Sequence, residues 1–509
     1  MKYKFIFFLF CFYFSNTLFS QVPAIQWQSF FNGLGTTPLN ELYPDIQQTS
    51  DGGYILAGDG NGTATVSTTS NFSVIKLNAL GNIQWQKEFG GSDTDKAHSV
   101  RQTVDGGYIV AGETQSTNGD VTGNHGSSDY WIIKLNSSGN LQWQKTYGGS
   151  ANDIARSIRQ TTDGGYIVAG ETSSTNGDVT GNHGSSDYWI IKIDSLGNLQ
   201  WQKTFGGTAD DKAQDIEQTA DNGYIIAGFA TSNNGNVVGN HGSYDYWILK
   251  LTSTGDIQWQ KSFGGSAVDR ANCIRKAADG GYFIAGWTTS ANGDVTLNNG
   301  SSDYWILKIT STGDIQWQKS FGTSFQEEAY GVDDTIDGGC IVTGLRYSVP
   351  QEGPSTGTAY PDYWVIKLDA SGNIEWQNTY GGPLSDISTS VQQTSDGGYI
   401  VAGFAYNGSF NFDFWIIKLA GNQLSTHEDI IKSPISIYPN PAKDFFTIDH
   451  LPAESTVSIH DASGRKIFSK KYSESKVSIN TSPFINGVYI IQVDDKEKNI
   501  LSEKLIIRK

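Results

Sequence analysis

Six acids recur at one slot of a repeating chain: Asp95, Asp153, Asp211, Asp269, Glu327 and Asp386, each two residues before an Ala or Ser. Gathered by folding, they would form a near-complete acidic ring, able to attract cations or to accept hydrogen bonds from hydroxyl groups. A second series is Asp59, Glu113, Glu171, Phe229, Trp287, Leu345 and Phe404, acidic on one side of the chain's repeats and aromatic on the other. Slots that vary among otherwise similar repeats are where a ligand is sought, so Phe229, Trp287 and Phe404 join the six acids as expected ligand-binding residues. The loop NGDVTGNHGSSD carries Asp120 in one copy and Asp178 in the next. Calcium is admitted there through the carboxylates and neighbouring carbonyls, although the spacing matches no full calcium loop. Such residues in Gly-rich loops more commonly hydrogen-bond their own backbone. His125, His183 and His241 fall in separate repeats, which argues against zinc.

Reaction chemistry leaves no comparable trace. GPSTG at 353–357 matches the nucleophile-elbow pattern but sits in a Pro-rich loop with no helix to follow, and is read as a chance match. No adjacent cysteine pair, metal-ligand cluster or phosphate loop is present, so no catalytic residue and no resident metal is assigned. A pair of glycosidase carboxylates brought together by folding would have no sequence signature.

The elements that must position these residues follow from repetition. A Trp-Gln pair appears at Trp27, Trp85, Trp143, Trp201, Trp259, Trp317 and Trp376, at intervals of 58 residues and finally 59. DGGY at 51, 105, 163, 279 and 396, with DNGY at 221 and DGGC at 337, also occurs seven times, as does a run related to YWIIK at 130–134. Each unit holds four strand-like segments separated by turn signals, which is the content of a propeller blade. The chain enters on a Trp-Gln strand and leaves the repeats after a third strand, so seven full blades form only if the first strand completes the last blade. The tryptophans, all but Trp287 in fixed slots, are expected to pack between blades. Strands alternate direction, so the second-to-third loops and the interblade loops share one face, where binding is expected.

The hairpin KLNSSGNLQWQKTYGG, with aspartate in KIDSLGNLQW and KLDASGNIEW, resembles the docking motif of quinoprotein-type propellers and the propeller repeats of secreted bacterial proteins. The resemblance implies the fold over about residues 24–420 and nothing about function.

The flanks concern address. Residues 1–20 carry Lys2, Lys4 and a short apolar run and read as a secretory signal peptide; no segment is apolar enough to span a membrane. Beyond the signal only Cys273 and Cys340 remain, in different blades, and are expected to be buried, unreactive thiols. Of the net charge of −17, Lys2 and Lys4 contribute +2 and residues 430–509, with 12 basic and 9 acidic residues, +3, leaving −22 on the rest. A surface so acidic excludes nucleic acid and anionic membrane as partners.

After a linker at 421–433, residues 434–509 read as short strands of a small β-sandwich. They resemble the type A sorting domain of type IX secretion cargo at Tyr438-Pro439-Asn440-Pro441, at Asp461 to Arg465 including Gly464, at Gly487 to Tyr489, and at the basic end from Lys504 to Lys509. That resemblance implies recognition by the outer-membrane machinery, cleavage, and release or attachment at the cell surface.

The expected molecule is all-β: a signal peptide (1–20), a seven-bladed propeller (21–420) closed by an N-terminal strand, a linker, and a sorting domain. Its expected role is that of an exported, monomeric, non-enzymatic binder of a polysaccharide or surface protein, needing no cofactor beyond calcium. The alternative is an extracellular carbohydrate-active enzyme.

Overall fold

The computed structural model describes residues 21–34, 44–60, 69–347, 360–406, 412–421, 435–461, 465–495 and 498–509. The signal-peptide segment, GPSTG, the divergent loop of the sixth repeat, most of the linker and Gly464 lie outside them. Two compact units are present, Met1–Gln423 and Leu424–Lys509.

Among its described residues the first unit holds seven antiparallel sheets of four strands and no helix, a propeller-type array. Six sheets use four consecutive strands, such as Asp153–Gln160, Tyr166–Thr172, Asp187–Ile193 and Leu199–Phe205 in the third repeat. The seventh combines Asp386–Gln393, Tyr399–Tyr406 and Phe412–Leu419 with the N-terminal strand Ile25–Leu34, paired Ile25 to Leu419 and Phe31 to Phe414. The first and seventh sheets also meet directly. Gln48 N donates to Gln392 Oε1 at 2.7 Å and Ser395 N to Gln48 Oε1 at 2.8 Å. Ile46, Tyr54 and Leu56 share a core with Ile400, Phe404 and Phe414.

The recurring motifs have one physical origin. In the third repeat, Gly164 adopts φ +84° in the turn between the first two strands, while Asp163 Oδ1 accepts a hydrogen bond from Gly165 N at 3.0 Å. Lys192, the lysine of the YWIIK-type run, is buried and reaches Asp163 at 2.9 Å and Gln200 Oε1 at 3.1 Å. Tyr188 Oη donates to Trp247 O of the next repeat at 2.9 Å, and their rings lie 4.6 Å apart. Trp189 Nε1 donates to Gln202 Oε1 at 2.8 Å. Each motif residue thus closes a turn, satisfies a buried polar group, or ties one sheet to the next.

The tryptophans divide into two classes. Third-strand Trp131, Trp189, Trp247 and Trp305 are fully buried between sheets. Among fourth-strand residues, Trp201 is only half-buried, edge-on to Tyr224 at 5.9 Å, whereas Trp376 is buried. Both classes pack between neighbouring sheets as expected, the fourth-strand residues with more of the ring left on solvent except at Trp376.

The second unit contains a three-stranded sheet, Ser436–Tyr438, Phe445–Asp449 and Lys476–Asn480. Its four-stranded sheet runs in the order Lys466–Tyr472, Ser455–Asp461, Gly487–Asp495, Lys498–Ile507. Phe446, Ile448, Val457, Ile459, Ile491 and Leu505 from both sheets form one apolar core.

Candidate functional site

The six acids do not form an exposed ring. Asp95, Asp153, Asp211, Asp269 and Glu327 are 0 % exposed and Asp386 is 5 % exposed. Asp153 shows why: one oxygen accepts the Thr172 hydroxyl, the other accepts Ser174 Oγ and Gly149 N, both at 2.8 Å. These carboxylates lock the interblade loop to the second-to-third loop, and the ligand-facing role expected of them is corrected accordingly. The loop acids act similarly, Asp120 and Asp178 accepting Gly90 N and Gly148 N at 3.2 Å. Among the described residues no group of three His, Cys, Asp or Glu side chains is placed to hold a metal ion. Cys273 and Cys340 are buried and unbridged.

Five of these six buried acids face another, whereas Asp95 faces Asn71. A Cβ on Gly148 would lie 2.5 Å from Asp129 Oδ1 and 2.7 Å from Asp153 Oδ2, so only glycine fits between them. His125 Nδ1 lies 2.7 Å from Asp129 Oδ2, but Oδ1 of Asp129, Asp187, Asp245 and Asp303 is buried without a hydrogen-bond partner. Burial pushes Asp129, Asp153, Asp245 and Asp269 up, and Asp129 and Asp245 also feel the facing carboxylates Asp153 and Asp269. Burial, with Asp362 adding, pushes Asp386 up to about 7. A carboxyl raised by folding favours the native state while it stays protonated, and that contribution is lost as pH climbs through the folded pKa. Burial alone would also raise Asp163, but hydrogen bonds from Thr161, Lys192 and Gly165 bring it down to about 2, so its contribution disappears only in acid. Denaturant unfolding should therefore show lower stability at pH 8.5 than at pH 6 by at least ~1 kcal/mol, and Asp386→Asn should flatten part of that slope. A profile flat from 6 to 8.5 would contradict the paired-carboxyl account.

The aromatic slots also divide. Phe404 is 1 % exposed, packed edge-on to Phe412 at 5.4 Å within the core, so its assignment as a ligand platform is corrected. Asp59, Glu113, Glu171 and Leu345 are buried as well. Phe229, at 6 % exposed, is buried too and its assignment as a ligand platform is likewise corrected; it and the partly exposed Trp287 flank Arg270.

What the sequence reading missed is the inner lining formed by the first strand of every repeat. Ser99, Ser157, Asp215, Cys273, Gly331 and Ser390 stand at one level with Asp45, lining a cavity of about 90 Å³. One level further along the strands, Gln47, Arg101, Arg159, Glu217, Arg275, Asp333 and Gln392 line a second lobe of about 270 Å³. Asp215 is the hub of this inner lining: Arg159 Nη2 donates to Oδ1 at 2.9 Å and Ser157 Oγ at 2.7 Å, while Oδ2 accepts Ile274 N at 3.1 Å and pairs with Arg275. Burial alone would raise this carboxyl, but Arg275 and Arg159 hold it well below the usual range. Asp333 is the contrasting case: burial, opposed by Arg275 and reinforced by Asp334 and Glu217, pushes it up to about 7.

The cavity's outer end is built by a repeated irregularity. Six first strands carry a register shift that falls on His98, Arg156, Gln214, Asn272, Tyr330 and Thr389. A bulge re-aims its side chain, and these six all line the first lobe at the end nearest the long loops. Six different side chains therefore occupy one geometric slot. Their variation was visible in the sequence; the bulge was not, because an alternating strand would have turned the same side chains toward a sheet face.

The second unit has its own polar cluster. Lys476 Nζ donates to Tyr438 Oη at 2.9 Å and to Asp449 Oδ2 at 2.8 Å, and Tyr438 Oη donates to the same carboxylate at 2.9 Å. Asn440, between Pro439 and Pro441, accepts Ile506 N at 2.9 Å; Gly487 pairs with Ile507, and Tyr489 Oη donates to Ile485 O at 2.8 Å. Lys504 lies in the last strand, and Lys509 Nζ donates to Ser482 O at 2.9 Å. The opening motif and the chain end are thereby stitched into one fold, and residues 436–508 match the family model for a secretion system C-terminal sorting domain. The tail is a sorting domain. Such a type IX sorting domain directs export to the cell surface or extracellular space. No helix of the described residues is long and apolar enough to cross a membrane.

The chain is 38 % identical over 93 residues to an endo-acting ulvan lyase of Formosa agariphila, covering 18 % of each chain. It is 26 % identical over 225 residues to the regulatory protein FlaEY of Caulobacter vibrioides, covering 41 % of this chain and 23 % of that one. The chain thus spans less than a quarter of the length of either curated relative. Similar solved structures include PorZ, a surface component of the type IX secretion system of Porphyromonas gingivalis, at 12 % identity and TM-score 0.28, covering 90 % of this chain and 69 % of PorZ. The Neurospora crassa Pan2 WD40 domain is similar at 13 % identity and TM-score 0.42 (78 % and 100 %), as is a Penicillium chrysogenum α-L-arabinanase at 11 % and 0.40 (78 % and 99 %).

Proposed function

We propose that this exported protein is a non-enzymatic binder whose ligand, a glycan, docks at the mouth of the inner cavity on the long-loop face. The reading takes residues 1–20 as the signal peptide, 21–420 as a closed seven-bladed propeller, 421–433 as a linker and 434–509 as a small β-sandwich read by the type IX machinery. The pairing of Ile25–Leu34 with Phe412–Leu419 and the packing of the first sheet on the seventh support closure. The observation that carries the binding role is the bulged slot, where a repeating framework presents His98, Arg156, Gln214, Asn272, Tyr330 and Thr389 side by side. Polar groups of mixed type around a concavity suit a hydroxyl-rich ligand, which both donates and accepts.

The test is a glycan and polysaccharide binding screen of the exported protein, with calcium and with chelator, followed by assay for product release. Tyr330→Ala and Asn272→Ala should each weaken binding roughly tenfold with little change in melting temperature. Undiminished binding in both variants would remove the mouth from consideration. A second reading, a carbohydrate-active enzyme, is favoured by Asp333, a carboxyl raised to about 7 inside the cavity and therefore able to exchange a proton near neutrality. It requires product release that Asp333→Asn abolishes.

A further inference from the structure

Four basic side chains lie near the start of a first strand, at its long-loop end, and most have a carboxylate. Arg156 Nη2 donates to Glu171 Oε1 at 3.2 Å, and Lys212 Nζ lies 3.6 Å from the same oxygen. His98 Nε2 lies 3.8 Å from Glu113 Oε1. Arg270 is built differently. The slots that hold Glu113 and Glu171 in the second and third repeats hold Phe229 and Trp287 in the fourth and fifth. Its guanidinium carbon consequently sits 4.7 Å from the ring centre of Phe229, 4.5 Å from that of Tyr244 and 5.5 Å from that of Trp287. Among the described residues no carboxylate pairs with it, and its Nε is buried without a hydrogen-bond partner.

Ring faces hold a cation in place but leave its charge and its N–H donors unspent. A planar guanidinium in that state is matched by an oxyanion able to accept two parallel hydrogen bonds. Arg270, Tyr244 and Trp287 are each partly exposed, so an approaching group meets the charge and an aromatic face together. We infer that Arg270 binds an anionic group, a carboxylate or a sulfate ester, carried by a saccharide whose ring lies against Trp287. This inference rests on the glycan-binding reading and names the chemical class of its ligand. The strongly negative charge of the repeats does not oppose it at contact range, because exposed charges are screened beyond about 8 Å at physiological ionic strength. That same charge selects for an isolated anionic residue on a mostly neutral chain over a dense polyanion.

The experiment titrates the exported protein with trigalacturonate, a sulfated galactan trisaccharide and neutral galactotriose. The wild type should bind the two charged probes roughly tenfold tighter than the neutral one, and whichever charged probe binds tighter identifies the anion. Arg270→Met keeps an unbranched stem among the three rings while removing the charge, and should erase the preference. Arg270→Lys, which restores charge without the planar fork, should recover only part of it. Equal wild-type affinity for charged and neutral probes, or a preference that survives Arg270→Met, overturns the assignment. If galactotriose binding is lost in Tyr330→Ala but every probe ignores Arg270→Met, the anion assignment fails while the mouth reading stands. If the wild type binds none of the three, both fail.

Discussion

A chain lacking residues 21–34 is expected to lose the native state: it should aggregate on export or purification, or melt more than ~10 °C below the full chain. The strand Ile25–Leu34 is the fourth strand of the seventh sheet, and its loss exposes the whole hydrogen-bonding edge of Phe412–Leu419. It also strips Trp415 of Phe30, stacked on it at 5.4 Å with planes 8° apart, and removes Trp27 from Tyr54 of the first repeat, 5.6 Å away. No other element can take its place, because each remaining fourth strand is already paired within its own sheet. Adding a synthetic peptide of residues 21–34 should restore solubility if edge pairing is the cause. An unchanged melting curve on deletion would mean that the array does not depend on closure.

Asp215→Ala should be the most damaging single substitution of the inner lining, costing about 3–5 kcal/mol, because it strands charges that the interior cannot solvate. Arg159 and Arg275 both pair with this carboxylate, and Ile274 N donates to it from the neighbouring repeat. Arg159 keeps Glu217 at 2.9 Å, whereas Arg275 keeps only the longer contacts to Glu217 at 3.6 Å and Asp333 at 3.7 Å. Asp215→Asn should be milder, since it keeps an acceptor while losing the charge. Thermal melts decide it: a shift within 1 °C of the parent for Asp215→Ala would show that the cluster carries little net stability.

Function was the harder part to read from residues, and the acids show why. Asp153 has the composition and spacing of a ligand-ring residue, yet its partners Thr172 and Ser174 lie 19 and 21 positions away, at the end of the second strand and in the loop after it. Whether such a carboxylate faces solvent or staples two loops depends on where those hydroxyls land. Phe404 and Trp287 hold the same sequence slot, but one fills a core with Phe412 and the other borders an arginine. Neighbours that differ between repeats decide that outcome, and sequence spacing does not reveal them.

By itself the sequence determined the repeat, the four strands of each unit, the division of the last sheet between the two ends of the chain, and the sorting tail. These rest on local periodicity, turn chemistry and motif order, which are properties of contiguous residues. Tertiary structure alone decided which side chains share the inner cavity, since His98, Arg156, Gln214, Asn272, Tyr330 and Thr389 come from six repeats and are turned inward by bulges that interrupt the strand alternation. It also decided that Phe229, Tyr244 and Trp287, from two repeats, close around Arg270. The charge environment of a residue is set by side chains a full repeat away, at distances that only the packed sheets define.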